Sequence, residues 1–409
     1  MDRGSRKTRF VACAAITACL AIAAARANGF SATSFIAPQD LVAFQQFGAA
    51  VAASGDVMAV GTAQPPYAVY VYRNANGPWN LQARLTSPTG STTDRFGSSL
   101  ALEGGTLVVG AANARVAYVF GEVSGAWIEQ AVLAPDGGSG ASFGGSSLNG
   151  MAVSGNTIVV GAPSESNATG NSGSVYVFTN TGGAWTQQAR IVPADPGVVA
   201  FGTSVALQGD TLAVGAPFSA SPAVFNPGTA FVFAREDGAW SQQARLDPVD
   251  DVAFGLYGLC VALDGNTVVV GAERPSEAEI FVNDHGTWGL QQILAGDDDS
   301  DFGTSVSILG DTVMVTAYED VSPIGFQSGV AHLYKRGGST WTERLDLLMA
   351  PEVDGIPGPA QDRQRFGNFA AMTRSGSVTR FVFGSPTYSP NFLDPAQRAL
   401  GAVYTATLN

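Results

Sequence analysis

Short apolar runs separated by tight, glycine-bearing turns follow one another along nearly the whole chain. In the stretch 201–246 the pattern predicts four strands, over 204–207, 211–216, 229–234 and 241–246. The turn between the first and second strand of such a unit is Gly-Asp or Gly-Asn, as at Gly209-Asp210, Gly265-Asn266 and Gly310-Asp311. The turn between the third and fourth is glycine-rich and ends in tryptophan. Both suit hairpins, because Gly, Asn and Asp tolerate the positive φ that tight turns demand.

The pattern repeats. Phe-Gly stands at Phe47-Gly48, Phe96-Gly97, Phe143-Gly144, Phe201-Gly202, Phe254-Gly255, Phe302-Gly303 and Phe366-Gly367. Each is followed by an apolar run, a turn and a second run ending in Gly-Ala-Pro or a relative of it, as at Gly161-Ala162-Pro163 and Gly215-Ala216-Pro217. Tryptophan recurs beside the outer hairpin at Trp79, Trp127, Trp185, Trp240, Trp288 and Trp341. One ring per unit at a fixed place reads as a packing anchor rather than a ligand ladder. A lone four-stranded unit cannot bury its own apolar faces, whereas radial stacking covers each sheet with the next. The seventh unit stops after Ala402-Val403-Tyr404, without tryptophan or fourth strand, and the segment 34–40 resembles the end of a fourth strand. The expected fold is therefore an all-β, seven-bladed propeller of four-stranded blades, spanning 28–409, with the last blade closed by the N-terminal strand.

Phe-Gly, a Gly-Asp turn and Gly-Ala-Pro in this order resemble the FG-GAP repeat of integrin α-subunit propellers and of many secreted bacterial proteins. The resemblance covers nearly the whole chain after residue 27 and implies the propeller fold; it implies little about activity, because propellers carry unrelated chemistries. Calcium-binding members carry an acidic loop between Phe-Gly and Gly-Ala-Pro. Here that interval is a tight turn such as 208–211, so the family's repeat Ca²⁺ sites look absent and no cofactor is implied.

Composition adds a destination. Arg3, Arg6, Lys7 and Arg9 precede an apolar, alanine-rich run over 10–25 that is too short to span a membrane, and Ala25-Arg26-Ala27 fits a cleavage site. Residues 1–27 are read as a signal peptide, which places the mature chain outside the cytoplasm. An alternative reads Ile16-Thr17-Ala18-Cys19 as a lipobox with Cys19 acylated, although the apolar run continues past that cysteine. No other stretch is apolar enough to cross a membrane. The whole chain carries a formal charge of −13, and the leader holds five of its 21 basic residues and one of its 34 acidic ones. The remainder is strongly acidic, which argues against nucleic acid or an anionic membrane as partner. Of the three cysteines only Cys260 lies beyond the leader, in an apolar setting that reads as strand packing.

In an up-and-down blade, the connections from strand two to three and from strand four to the next blade emerge on one face. Those are the long ones here, so binding residues are expected on that face. Phe218, Phe225, Tyr318, Phe326, Tyr388 and Phe392 lie in or beside its loops and are candidate ligand contacts, either for a sugar or protein surface or as cover for the loops' own small cores. Asp297, Asp298, Asp299 and Asp301 form the densest acidic run and are candidate cation ligands, with a solvated link as the other reading. His285 and His332 are the only histidines and read as structural, which leaves little for a Ser-His-Asp triad. Asn167-Ala168-Thr169 fits the glycosylation pattern, from which nothing follows without knowing the host. Two functions remain open: a secreted, non-catalytic module that binds extracellular protein or glycan, or a polysaccharide hydrolase or lyase whose acids meet in the central channel.

Overall fold

The computed structural model describes residues 30–75, 77–145, 150–166, 172–221, 224–296, 300–317, 329–348, 367, 369–387 and 400–408. Among the described residues there are 28 strands in seven four-stranded antiparallel sheets, and no helix. Blade 1 comprises Phe47–Ser54, Val57–Thr62, Val69–Arg73 and Asn80–Leu85. In blade 4 the strands Ser204–Gln208, Thr211–Ala216, Thr229–Glu236 and Ala239–Leu246 fall within two residues of the bounds expected from the sequence. Blade 7 takes its first three strands from Phe369–Ser375, Val378–Ser385 and Ala402–Leu408 and its outer strand from Phe30–Ile36. That outer strand runs antiparallel to Ala402–Leu408, with Ile36 opposite Val403, so the two ends of the ring are joined by backbone hydrogen bonds as the truncated seventh unit implies.

The seams between blades show why the repeat needs its glycines. In blade 3 the Gly144 N–H donates to the Gly161 carbonyl (3.2 Å), while the Gly144 carbonyl oxygen presses on the Cα of Gly110 in blade 2. A Cβ on Gly110 would overlap that oxygen. Gly161 meets Gly202, Gly215 meets Gly258, Gly271 meets Gly303 and Gly384 meets Gly48 in the same way, and the last contact closes the ring. Phe47, Phe96, Phe143, Phe201 and Phe302 are fully buried at these seams, each stabilising the ring by about 2–3 kcal/mol of apolar burial. The tryptophans are anchors as expected: Trp127, Trp240 and Trp341 donate their indole N–H to Gln82, Gln188 and Gln291 of the preceding blade, at 3.1, 3.3 and 2.9 Å.

One repeat assignment is corrected. Phe254-Gly255 is not the motif of blade 5. Tyr257-Gly258 takes its place, with Tyr257 only 1% exposed, Gly258 against Gly215 and a backbone bridge from Tyr257 to Gly228 that matches the one from Phe201 to Gly173. Phe254, three residues earlier, is 54% exposed. The exchange is compensated inside the blade. In blades 1 and 3 the motif phenylalanine packs edge-on against Tyr70 or Tyr176 of the third strand, at 5.4 Å between ring centres. In blade 5 the aromatic ring has acquired the hydroxyl, and the third strand offers Glu279 to accept its hydrogen bond at 2.8 Å.

On the tight-turn face a chain of bonds runs from blade 1 to blade 6. The N–H of five inner-turn glycines, Gly104, Gly155, Gly209, Gly265 and Gly310, donates to a side chain of the preceding blade, Ser54, Glu103, Ser154, Gln208 and Asp264 in turn. Each acceptor is the residue directly before its own blade's turn glycine.

Candidate binding face

On the opposite face, the residue preceding the motif aromatic adopts a left-handed backbone in six blades: Gln46, Arg95, Ser142, Ala200, Leu256 and Asp301, with φ between 53° and 63°. None is glycine, so each carries about 1–2 kcal/mol of backbone strain that the surrounding seam overrides. Asp301 is one member of this series, its carbonyl accepting from the Thr304 N–H and hydroxyl at 3.3 and 2.6 Å. Asp297, Asp298 and Asp299 lie outside the described residues, as do Tyr318, Phe326, Tyr388 and Phe392. Among the described residues no three His, Cys, Asp or Glu side chains come together as a metal cluster.

Phe218 and Phe225 do stand in solvent on this face, at 43% and 63% exposure, and sequence reasoning missed their companion. The loop leaving the second strand of blade 4 and the link into blade 5 run side by side, which brings Phe225 against Phe254 edge-on with ring centres 5.3 Å apart. Val199 and Val249 are exposed on neighbouring links. The pair is held in place: the Phe254 N–H donates to the Phe225 carbonyl (3.1 Å), and Ser221 Oγ meets Asp251 Oδ2 at 2.7 Å. Phe254 is itself left-handed, φ 59°, so the chain accepts strain there to present a ring that buries little. The signal existed in the sequence. Phe44 stands three residues before Phe47 as Phe254 stands three before Tyr257, and Phe44 is likewise left-handed (φ 65°) and 55% exposed.

The link that carries Val249 and Phe254 is tethered by a buried carboxylate. Glu279, 2% exposed, accepts from the Val249 N–H through Oε1 at 2.8 Å and from Tyr257 through Oε2. In blades 1 and 3 the comparable acids, Asp40 and Glu165, are paired with Arg84 and Arg190 at 3.1 and 3.2 Å. Opposite Glu279 the fourth strand supplies Ile293 instead. Burial accordingly raises the Glu279 pKa above the ordinary glutamate range, the bonds from Val249 and Tyr257 oppose the rise, and Asp250 adds to it. Glu277, one turn of the pleat away, is raised by burial and then by Glu279 and Asp250. Cys260 belongs to the packing: its thiol donates to the Gly303 carbonyl at 2.9 Å, as the Ser204 hydroxyl does to Gly258, and burial pushes its pKa up to about 12.

The central channel offers little chemistry. Its volume is about 240 Å³, and each of the seven inner strands contributes three consecutive residues, all Ala, Val, Leu, Ile or Met except Ser307. Each inner strand is hydrogen-bonded on one edge only, so the other edge turns its backbone groups to the channel. No described carboxylate lines it.

Four copies of the FG-GAP repeat model match the chain, at residues 79–120, 127–178, 185–233 and 240–283. With the seven-bladed ring, these make the chain an FG-GAP repeat β-propeller. No curated protein matches it. Among solved structures it is similar to that of a proposed 6-phosphogluconolactonase from Bacteroides uniformis ATCC 8492, with a TM-score of 0.52 and 12% identity over 74% of this chain and 85% of that one. At that identity the likeness is one of fold.

Proposed function

We propose that the protein is an exported, non-catalytic binding module whose ligand, an extracellular protein or glycan, docks on the loop-bearing face around Phe218, Phe225 and Phe254. The observation that carries this reading is Phe254: a ring half in solvent, on a strained backbone, tethered on two sides by Phe225 and by the Glu279-bound link. A surface residue with no binding role has no need of rigid support, whereas a preorganised aromatic saves the ordering cost of association. The channel lining supports the same reading over the polysaccharide-cleaving one, since acid–base cleavage needs two converging carboxylates. Export rests on the basic and apolar pattern of residues 1–27.

The test is binding of the protein to a glycan and extracellular-matrix array, with and without Ca²⁺, beside a Phe218→Ala/Phe225→Ala/Phe254→Ala variant. Saturable binding that the triple variant loses while keeping its thermal stability supports the reading. Polysaccharide turnover, or binding that the triple variant retains in full, overturns it.

A further inference from the structure

Where blades 7, 1 and 2 meet, on the far side of the ring from Phe225 and Phe254, the loop-bearing face dips into a cavity of about 200 Å³. Gln46, Tyr67, Arg95, Ser98, Phe369 and Thr387 are among the residues lining it. Gln46 and Arg95 occupy the left-handed position before the motif phenylalanines Phe47 and Phe96. The repeat fixes the backbone there and leaves the side chain free to differ, as Ser142, Ala200 and Leu256 show. In blades 1 and 2 that freedom is used to place an amide and a guanidinium in one cavity.

Arg95 is unlike the arginines of the seams. Arg73, Arg84, Arg190, Arg235 and Arg245 are all ion-paired. Arg95 has no carboxylate or carbonyl partner among the described residues, and no described acid lines the cavity. Its neighbour Asp94 is buried and committed to the Ser87 hydroxyl and to the Phe96 N–H at 3.1 Å. The Gln46 amide and the Tyr67 hydroxyl likewise have no protein partner among the described residues, and Ser98 Oγ shares its one hydrogen between the Gly110 and Gly144 carbonyls, at 3.4 and 3.3 Å, which leaves its lone pairs to accept. The cavity thus combines one unspent planar cation, suited to a carboxylate, with donors and acceptors for hydroxyl groups and a ring for an apolar face. Its size falls below the roughly 300–1,000 Å³ of sites for drug-sized ligands.

We propose that this cavity binds an acidic monosaccharide, a hexuronate either free or as the terminal residue of an acidic glycan. The carboxylate meets Arg95, the ring hydroxyls meet Gln46 and Ser98, and the C–H face of the sugar lies on Tyr67. A single cation in a chain of formal charge −13 selects one negative charge over two. This site is independent of the aromatic pair on blades 4 and 5.

The experiment is saturation-transfer NMR with titration of D-glucuronate and of methyl β-D-glucuronide into the full protein, with D-glucose, acetate and glucose 6-phosphate as comparisons. For a ligand of this size the dissociation constant is expected on the order of a millimolar. Glucose, acetate and glucose 6-phosphate should each bind about tenfold more weakly than glucuronate, the first for lack of a charged hydrogen bond. Comparable binding of the methyl glycoside assigns the site to a glycan terminus, and its exclusion assigns it to the free acid; either keeps the cavity as the site. Two variants complete the test. Arg95→Gly should lose about tenfold or more in affinity with an unfolding temperature at or above that of the native protein, because glycine accepts φ 58° without strain, and Gln46→Ala should lose less. No saturable glucuronate binding, equal binding of acetate or of glucose 6-phosphate, or unchanged affinity in Arg95→Gly would each overturn the proposal.

Discussion

On the tight-turn face, five consecutive turn glycines hand their N–H groups to the blade before them; on the opposite face Phe44, Phe225 and Phe254 stand in solvent on loops of unequal length. The same repeat builds both. In blades 2 to 5 the turn end of the inner strand is fixed by neighbours on both sides, so its sequence is held to a turn glycine and a preceding side chain that accepts. At the other end the seam fixes only the backbone before the motif aromatic and leaves the side chain to vary from Arg95 to Leu256. Strain is tolerated on that face because the seam underneath, with its buried phenylalanines and apposed glycines, overrides it.

The largest expected effects come from setting the seam against the surface within a few residues. Tyr257→Ala empties a buried ring site and strips Glu279 of a donor, and should cost about 4 kcal/mol in chemical denaturation. Phe254→Ala, three residues away, should cost under about 1 kcal/mol. Comparable costs would return the blade 5 motif to Phe254-Gly255. Next, Gly215→Ala places a Cβ against the Gly258 carbonyl of the following blade and should cost about 3 kcal/mol, whereas Gly289→Ala, on the outer strand of blade 5 with open space around it, should cost far less.

A smaller effect separates the faces by pH. Glu277 and Glu279 have folded-state pKa values above their unfolded ones, so the folded state holds more protons between the two, and stability falls as pH rises through that window. Glu277→Gln/Glu279→Gln should flatten that decline, as read by chemical denaturation at a series of pH values from 4 to 7. A profile identical to that of the native protein would show that these acids are not strained by burial. Smallest of all, Ser154→Ala removes one acceptor of the turn-to-turn chain and should cost about 0.5–1 kcal/mol, with ligand binding unchanged.

The ring was legible because Phe-Gly and Gly-Ala-Pro record a close approach of backbones that only glycine permits, and because blade 7 visibly lacked the strand that Phe30–Ile36 supplies. Blade 5 misled because Phe254-Gly255 matched the letters while the structural equivalent had changed them. The alignment of Gly258-Leu259-Cys260-Val261-Ala262-Leu263 with Gly202-Thr203-Ser204-Val205-Ala206-Leu207 holds the right register, but the compensation that admits a tyrosine, Glu279, lies on another strand. Phe218 and Phe225 were legible as loop aromatics on the longer connections. The pairing with Phe254 was not, since it depends on two connections lying side by side. Nor was the channel lining, which follows from the strand edge that the ring turns inward.

The most direct measurement of the central claim, that one face binds while the rest is frame, sets two triple variants side by side on the ligand found by array: Phe218→Ala/Phe225→Ala/Phe254→Ala on the loop-bearing face and Leu81→Ala/Ile128→Ala/Leu290→Ala on the exposed outer strands. The account expects the first to weaken affinity about a hundredfold or more and the second to leave it within about twofold, with both unfolding within a few degrees of the native protein. Equal affinities for the two, or a loss confined to the second, would contradict it.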